Sequence, residues 1–145
     1  MTTPSVILSQ EEKELLVKAA CKAQKQTYSP YSNFPVGAAL LTHDDEIICG
    51  TNVENASFSM TICAERTAIL QGVYKGHRSF KAIAISTRQG DFPCGACRQV
   101  LAEFNEPSMP IIICSEKEVI TDETTLGVLL PKAFVPKRLL DSKNS

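Results

Sequence analysis

The sequence has 145 residues, 43% of them apolar, enough for one domain spanning residues 1–145 with a full core. Its formal charge of −1 excludes the basic excess of a nucleic-acid binder and favours a small, nearly neutral substrate over a polyanion. No apolar run reaches membrane-spanning length and residues 1–10 lack the pattern of a secretory leader; in the cytoplasmic location this implies, the six cysteines serve metal binding or packing rather than disulfides.

Ser9-Gln10-Glu11-Glu12 has the form of a capping box, and the stripe Leu15, Leu16, Ala19, Ala20, Ala23 behind it predicts a first helix over 9–25. Tyr28-Ser29-Pro30-Tyr31-Ser32-Asn33 is a turn-rich loop. Two apolar runs, 36–41 and 46–53, flank the short Asp44-Asp45 link and read as a hairpin. A second helix is expected from Thr61 or Ile62 to about Val73 or Tyr74, ending near Gly76. A strand follows over 80–87, then a helix over 94–104 set up by Pro93 and ended by Pro107. The wholly apolar run 110–114 has the pattern of a buried central strand. A last strand near 118–120, a short helix near 124–129 and a polar tail fraying from about Asp141 complete the chain. This order predicts a three-layer α/β/α sandwich around a mixed five-stranded sheet.

The chemistry concentrates in two segments, Cys63-Ala64-Glu65-Arg66 and Pro93-Cys94-Gly95-Ala96-Cys97-Arg98-Gln99. Three thiolates are one short of a closed tetrahedral zinc site, and three protein ligands with one open position characterise a zinc that activates water. Glu65 stands beside the first thiolate, placed to move protons. Cys94 and Cys97, three apart, share a helix face. Cys63 and Glu65, two apart, converge only if the metal lies over a helix N-terminus. Three thiolates with Zn²⁺ sum to −1, which two helix N-termini and the nearby Arg66 and Arg98 would offset. A lone Cys-x-x-Cys also serves redox pairs and structural zinc, but structural zinc needs a fourth protein ligand and leaves Glu65 without a task. The two segments match the zinc-deaminase pattern His-x-Glu followed by Pro-Cys-x-x-Cys, with Cys63 in place of histidine. Cys21, Cys49 and Cys114 read as small core hydrophobes, and His43 and His77 as loop residues rather than ligands.

At these residues the chain resembles the cytidine deaminase family, in its short, homotetrameric, three-cysteine class. Further matching strings are Tyr28-Ser29-Pro30-Tyr31-Ser32, Phe34-Pro35-Val36-Gly37-Ala38-Ala39, Thr51-Asn52-Val53-Glu54-Asn55-Ala56-Ser57 and Leu129-Leu130-Pro131-Lys132-Ala133-Phe134. The resemblance implies hydrolytic conversion of cytidine and deoxycytidine to uridine and deoxyuridine, with zinc as cofactor and a role in pyrimidine salvage. It implies Glu65 as the proton shuttle and the Ala64 backbone as a contact to the base edge. It implies Asn52 as a two-way partner and Glu54 as an acceptor for the ribose hydroxyls, and Phe34 as a wall against the pyrimidine. It also implies Phe134 as an aromatic entering a neighbouring subunit's site. Taken alone, Phe34 and Phe134 are more often core residues, Asn52 and Glu54 a polar strand end, and Glu65 a dipole-favoured helix-start carboxylate. Arg66 is expected to bond the ligand thiolates; as an isolated residue it would be an exposed helix arginine.

Two departures stand out. Phe58 replaces a tyrosine often found in the family, removing a hydroxyl. The segment Thr87-Arg88-Gln89-Gly90-Asp91-Phe92 is shorter than usual, and Phe92 replaces a small polar residue. The competing enzyme reading is a related deaminase acting on another aminopyrimidine, against which Asn52 and Glu54 favour a ribosyl substrate.

Overall fold

The computed structural model describes residues 7–143; residues 1–6 of the segment screened for a leader, and 144–145 of the tail, lie outside it. Strands β1 (Gly37–Leu41), β2 (Ile47–Thr51), β3 (Ala82–Thr87), β4 (Pro110–Ser115) and β5 (Ile120–Thr125) form one sheet in the order β2-β1-β3-β4-β5. β1 is antiparallel to both β2 and β3, β3 is parallel to β4, and β4 is antiparallel to β5. The sheet is therefore mixed, with β4 internal as its apolar sequence requires.

The period of two along each strand divides side chains between the two faces. Ala38, Leu40, Ile83, Ile85, Ile111 and Ile113 pack with α2 (Ala64–Tyr74) and α3 (Gly95–Phe104). Ala39, Leu41, Ala82, Ala84, Ile112 and Cys114 pack with α1 (Gln10–Gln24) through Leu16, Val17, Ala20 and Cys21. Helix, sheet and helices make the expected three layers. Each fully buried Ile or Leu contributes about 1.5–3 kcal/mol. The expected capping box opens α1, with Ser9 Oγ accepting from the Glu12 amide at 3.0 Å and Glu12 Oε1 accepting from the Ser9 amide at 2.9 Å.

Register places the site. Gly37, at the start of β1, is level with Thr51 at the end of β2 and with Ser86 near the end of β3. The loops leaving β2 and β3 thus emerge at one sheet end. Gly50 brings α2 onto β2 there: a Cβ at this position would stand 2.4 Å from the Ala68 amide nitrogen and 2.5 Å from the Ala64 carbonyl oxygen. Only glycine permits the first turns of α2 to lie this close.

Several boundaries differ from the sequence expectation. α2 begins at Ala64, not Thr61 or Ile62, because Ile62 exchanges backbone hydrogen bonds with Val53. A 3-10 turn, Phe58–Met60, precedes it. The last strand runs over Ile120–Thr125, beyond the expected 118–120. Glu118 has φ 62° in a turn closed by its amide to the Ser115 carbonyl, so it ends a hairpin rather than opening a strand. β-branched Thr121, Thr124 and Thr125 extend β5, and Thr125 caps α4 (Leu126–Leu129) by accepting from the Val128 amide. The polar tail contains α5 (Pro136–Lys143), with Pro136 in the first position, where its missing N–H costs nothing.

Candidate metal centre and active-site cleft

Cys63 and Cys94 are the N-caps of α2 and α3, and neither side chain makes a capping hydrogen bond to the backbone of its helix. The first-turn amides of both helices therefore remain without a side-chain cap and lend positive potential to the thiols. Cys97 follows in the first turn of α3, fully buried, and the three sulfurs lie within 4.8 Å of one another. A hydrogen bond from Cys97, then one from Arg66, holds the Cys63 thiol down to about 5. Cys97 is raised, first by its bond to Cys63 and then by burial. Cys63 and Cys97 are thus driven in opposite directions, as expected of two thiols crowded together.

Arg66 Nη2 donates to Cys63 Sγ at 3.3 Å. Arg98 makes its side-chain hydrogen bonds to backbone carbonyls. Its Nε donates to the Pro93 carbonyl at 2.7 Å and its Nη1 to the Leu129 carbonyl at 2.9 Å, clamping the turn before Cys94 to the end of α4.

Glu65, in the first turn of α2, is only 4% exposed, and its Oε1 has no hydrogen-bond partner among the described residues. Burial raises its carboxyl above the ordinary value and charge on Cys63 adds to this, against the pull of its own backbone amide. A cleft of about 410 Å³ opens here, lined by Cys63, Ala64, Glu65 and Cys94 together with Phe34, Asn52 and Glu54. Three soft thiolates, no fourth donor in the group among the described residues, and a buried carboxylate oxygen without a partner fit a zinc with an open position.

The sequence matches the family described as cytidine and deoxycytidylate deaminase zinc-binding region over residues 10–117, which include all three thiols and Glu65. The chain belongs to this family. It is 53% identical to a cytidine deaminase of Sporosarcina psychrophila over 123 residues, 83% of this chain and 90% of the relative. It is 42% identical to one of Halalkalibacterium halodurans, covering 90% of this chain and 99% of the relative. The fold matches the crystal structure of cytidine deaminase from Burkholderia pseudomallei with a TM-score of 0.80 and 40% identity, covering 88% of this chain and all of that one. The three-cysteine group is where this cytidine deaminase-family domain could hold its zinc.

Of the other sequence-derived residues, Phe34, Asn52 and Glu54 line the cleft and Phe134 does not. Asn52 is buried, with Nδ2 donating to the Phe34 carbonyl at 2.8 Å and Oδ1 accepting from the Val36 amide at 3.0 Å. Much of its capacity thus holds the Phe34 wall. Glu54 accepts from the amides of Tyr31 and Ser32, at 2.9 and 3.1 Å, and from the Ser32 hydroxyl, which lowers its carboxyl most. Phe34 is 44% exposed and lines the cleft rather than the core. Phe134 is 61% exposed, does not line the cleft of its own chain, and has its carbonyl held by Gln99 Nε2 at 2.8 Å; core packing does not describe it. Phe58 is exposed and meets Tyr31 edge-on, with ring centroids 5.6 Å apart.

Residues the sequence reading did not single out also line the cleft, notably Ser32, Thr87 and Asp91. The short 87–92 segment turns tightly at Gly90, φ 91°, with Thr87 Oγ1 accepting from the amides of Gly90 and Asp91 and donating to Asp91 Oδ2 at 2.9 Å. A glycine three residues after a strand-end threonine was the available signal. A separate group, Asp44, Glu46 and His77, converges at the β1–β2 turn. There Lys75 Nζ, 2.9 Å from Glu46 Oε1, already supplies a cation.

Proposed function

We propose that this chain, as one deaminase domain over residues 1–145, hydrolyses cytidine and deoxycytidine to uridine and deoxyuridine with release of ammonia, serving pyrimidine salvage in the cytoplasm. The single observation that carries the reading is the buried, partnerless Glu65 Oε1 beside the thiols of Cys63, Cys94 and Cys97. Zinc held by those thiolates supplies the Lewis acidity that readies water for attack at neutral pH.

The chain's own groups do the rest. Glu65 Oε1 takes the proton of the attacking water and passes it to the ring nitrogen, then takes the proton of the newly added hydroxyl as it becomes the carbonyl and delivers it to the departing amine. Hydroxyl addition at the ring carbon and loss of ammonia balance the exchange of amine for carbonyl oxygen. The Ala64 backbone meets the base edge, Phe34 walls the ring, and Arg66 steadies Cys63. Asn52 and Glu54 take the sugar hydroxyls. No Lys, Arg or His is among the residues lining the cleft, whereas Glu54, Glu65 and Asp91 are, which supports a neutral nucleoside over a phosphorylated one.

The working form is a homotetramer with shared sites. The exposed Phe134 ring reaches a neighbour's cleft, and the exposed Leu70 and Tyr74 of α2 offer apolar surface for assembly. No helix among the described residues is long and apolar enough to cross a membrane.

The test is incubation of the zinc-loaded protein with cytidine, deoxycytidine, cytosine, cytidine monophosphate and other aminated nucleosides while ammonia is measured. Turnover of the two nucleosides with little from cytosine or the phosphate is expected. Preferential turnover of the free base or the nucleotide would overturn the reading.

A further inference from the structure

Thr27, in the loop after α1, reaches the cleft wall from behind. Its Oγ1 lies 2.6 Å from Asn52 Oδ1 and 2.9 Å from Ser29 Oγ. The Asn52 amide has only one workable orientation. The atom facing the Val36 N–H must be the oxygen, and the atom facing the Phe34 carbonyl must be the nitrogen. An amide oxygen only accepts and a hydroxyl has one hydrogen, so Thr27 donates to Asn52 while Ser29 donates to Thr27. Both lone pairs of Asn52 Oδ1 are then used, by Val36 and by Thr27. What Asn52 has left to offer the cleft is the second Nδ2 hydrogen.

We propose that Thr27 is a positioning residue for sugar recognition: its hydroxyl saturates the Asn52 amide oxygen, so that Asn52 presents an N–H donor and no acceptor, and Glu54 is left as the acceptor of the pair. The two-way role that the family resemblance implies for Asn52 becomes a one-way role here. Such a pair selects a hydroxyl that can donate to Glu54 and accept from Asn52. The proposal rests on the reading of this cleft as a nucleoside site.

The test compares the parent with Thr27→Val, which keeps the shape and removes the hydroxyl, and with Thr27→Ser, which restores it. KM and kcat are measured for cytidine and for 2′,3′-dideoxycytidine, whose sugar lacks the 2′- and 3′-hydroxyls. Thr27→Val should raise KM for cytidine about 3- to 10-fold, the size expected for one lost hydrogen bond, with the effect on KM rather than kcat. Thr27→Ser should recover most of this, and the dideoxy substrate should show no added penalty. Thr27→Ala gives the same comparison if valine disturbs the loop. An equal penalty on both substrates, or no change with cytidine, would reduce Thr27 to loop packing and overturn the proposal. A parent that does not discriminate between the two substrates would overturn the sugar reading itself, and the proposal with it.

Discussion

Cys63 and Cys94 occupy the same position in two different helices: each is an N-cap with extended backbone, at φ −71°, ψ 156° and φ −67°, ψ 166°. A cap residue normally turns its side chain back onto its own helix. These two instead turn toward each other and toward Cys97, so two helix starts share one site. The metal's position is therefore set by the packing of α2 and α3 on the sheet as much as by the thiols.

One zinc per chain is expected. Cys63→Ala should abolish tight binding, because only two thiols remain. Metal analysis with absorption of the cobalt-substituted form measures this. Free zinc at about 100 times Kd should stabilise the parent by ~2.7 kcal/mol, and a chelator should remove that increment.

Gly50→Ala should damage the site from a distance. The new methyl meets backbone of α2, at the Ala68 nitrogen and the Ala64 carbonyl, as well as Thr67 Oγ1, and the backbone cannot swing away. Overpacking of this kind costs about 1–3 kcal/mol. Denaturant melts should show the loss, and zinc titration should show weaker binding, since α2 carries Cys63 and Glu65.

Mixing chains tests whether sites are shared. Glu65→Gln and Phe134→Ala chains should each be impaired alone. After subunit exchange, some sites would join an intact Glu65 with a neighbour's intact Phe134, and activity should exceed that of either parent. No gain after verified exchange would confine Phe134 to its own chain. An aromatic contact of this kind is worth about 0.5–1.5 kcal/mol beyond its area.

Stability should depend on pH through Glu12 and Lys81. Lys81 Nζ lies 2.7 Å from Glu12 Oε2 and lowers its carboxyl, helped by the Ser9 amide of the capping box. A lowered folded-state value stabilises the fold above the unfolded carboxyl value, and this contribution is lost as pH falls through the folded value. Thermal melts should therefore show the largest gap between parent and Lys81→Met near neutral pH, narrowing on acidification. A gap independent of pH would mean that Lys81 acts through packing.

Much of the site was legible because thiol spacing is a stringent constraint. Cys63, Glu65, Cys94 and Cys97 could converge only over helix N-termini, and that is where the folded chain puts them. The mixed five-stranded sheet and its buried central strand, β4, were also legible, because a short run of apolar β-branched residues such as 110–114 reads the same in any context. What escaped depends on partners distant in sequence. Cysteine is not an expected cap, so the start of α2 was placed too early. The clamp that Arg98 forms between the Pro93 and Leu129 carbonyls joins positions too far apart in sequence to read in advance. The Asn52 amide looks free until Thr27, Phe34 and Val36 are seen to surround it. The turn at Glu118 depends on a positive φ that its sequence does not announce.

The central claim is that Glu65 moves the protons of a zinc-assisted deamination. The most direct measurement is the rate of ammonia release from cytidine by the parent and by Glu65→Gln, at matched zinc content and with cytidine binding measured separately. The account predicts a loss of about 10² to 10⁴ in turnover with zinc and cytidine binding retained. Turnover near that of the parent in the zinc-loaded variant would contradict it.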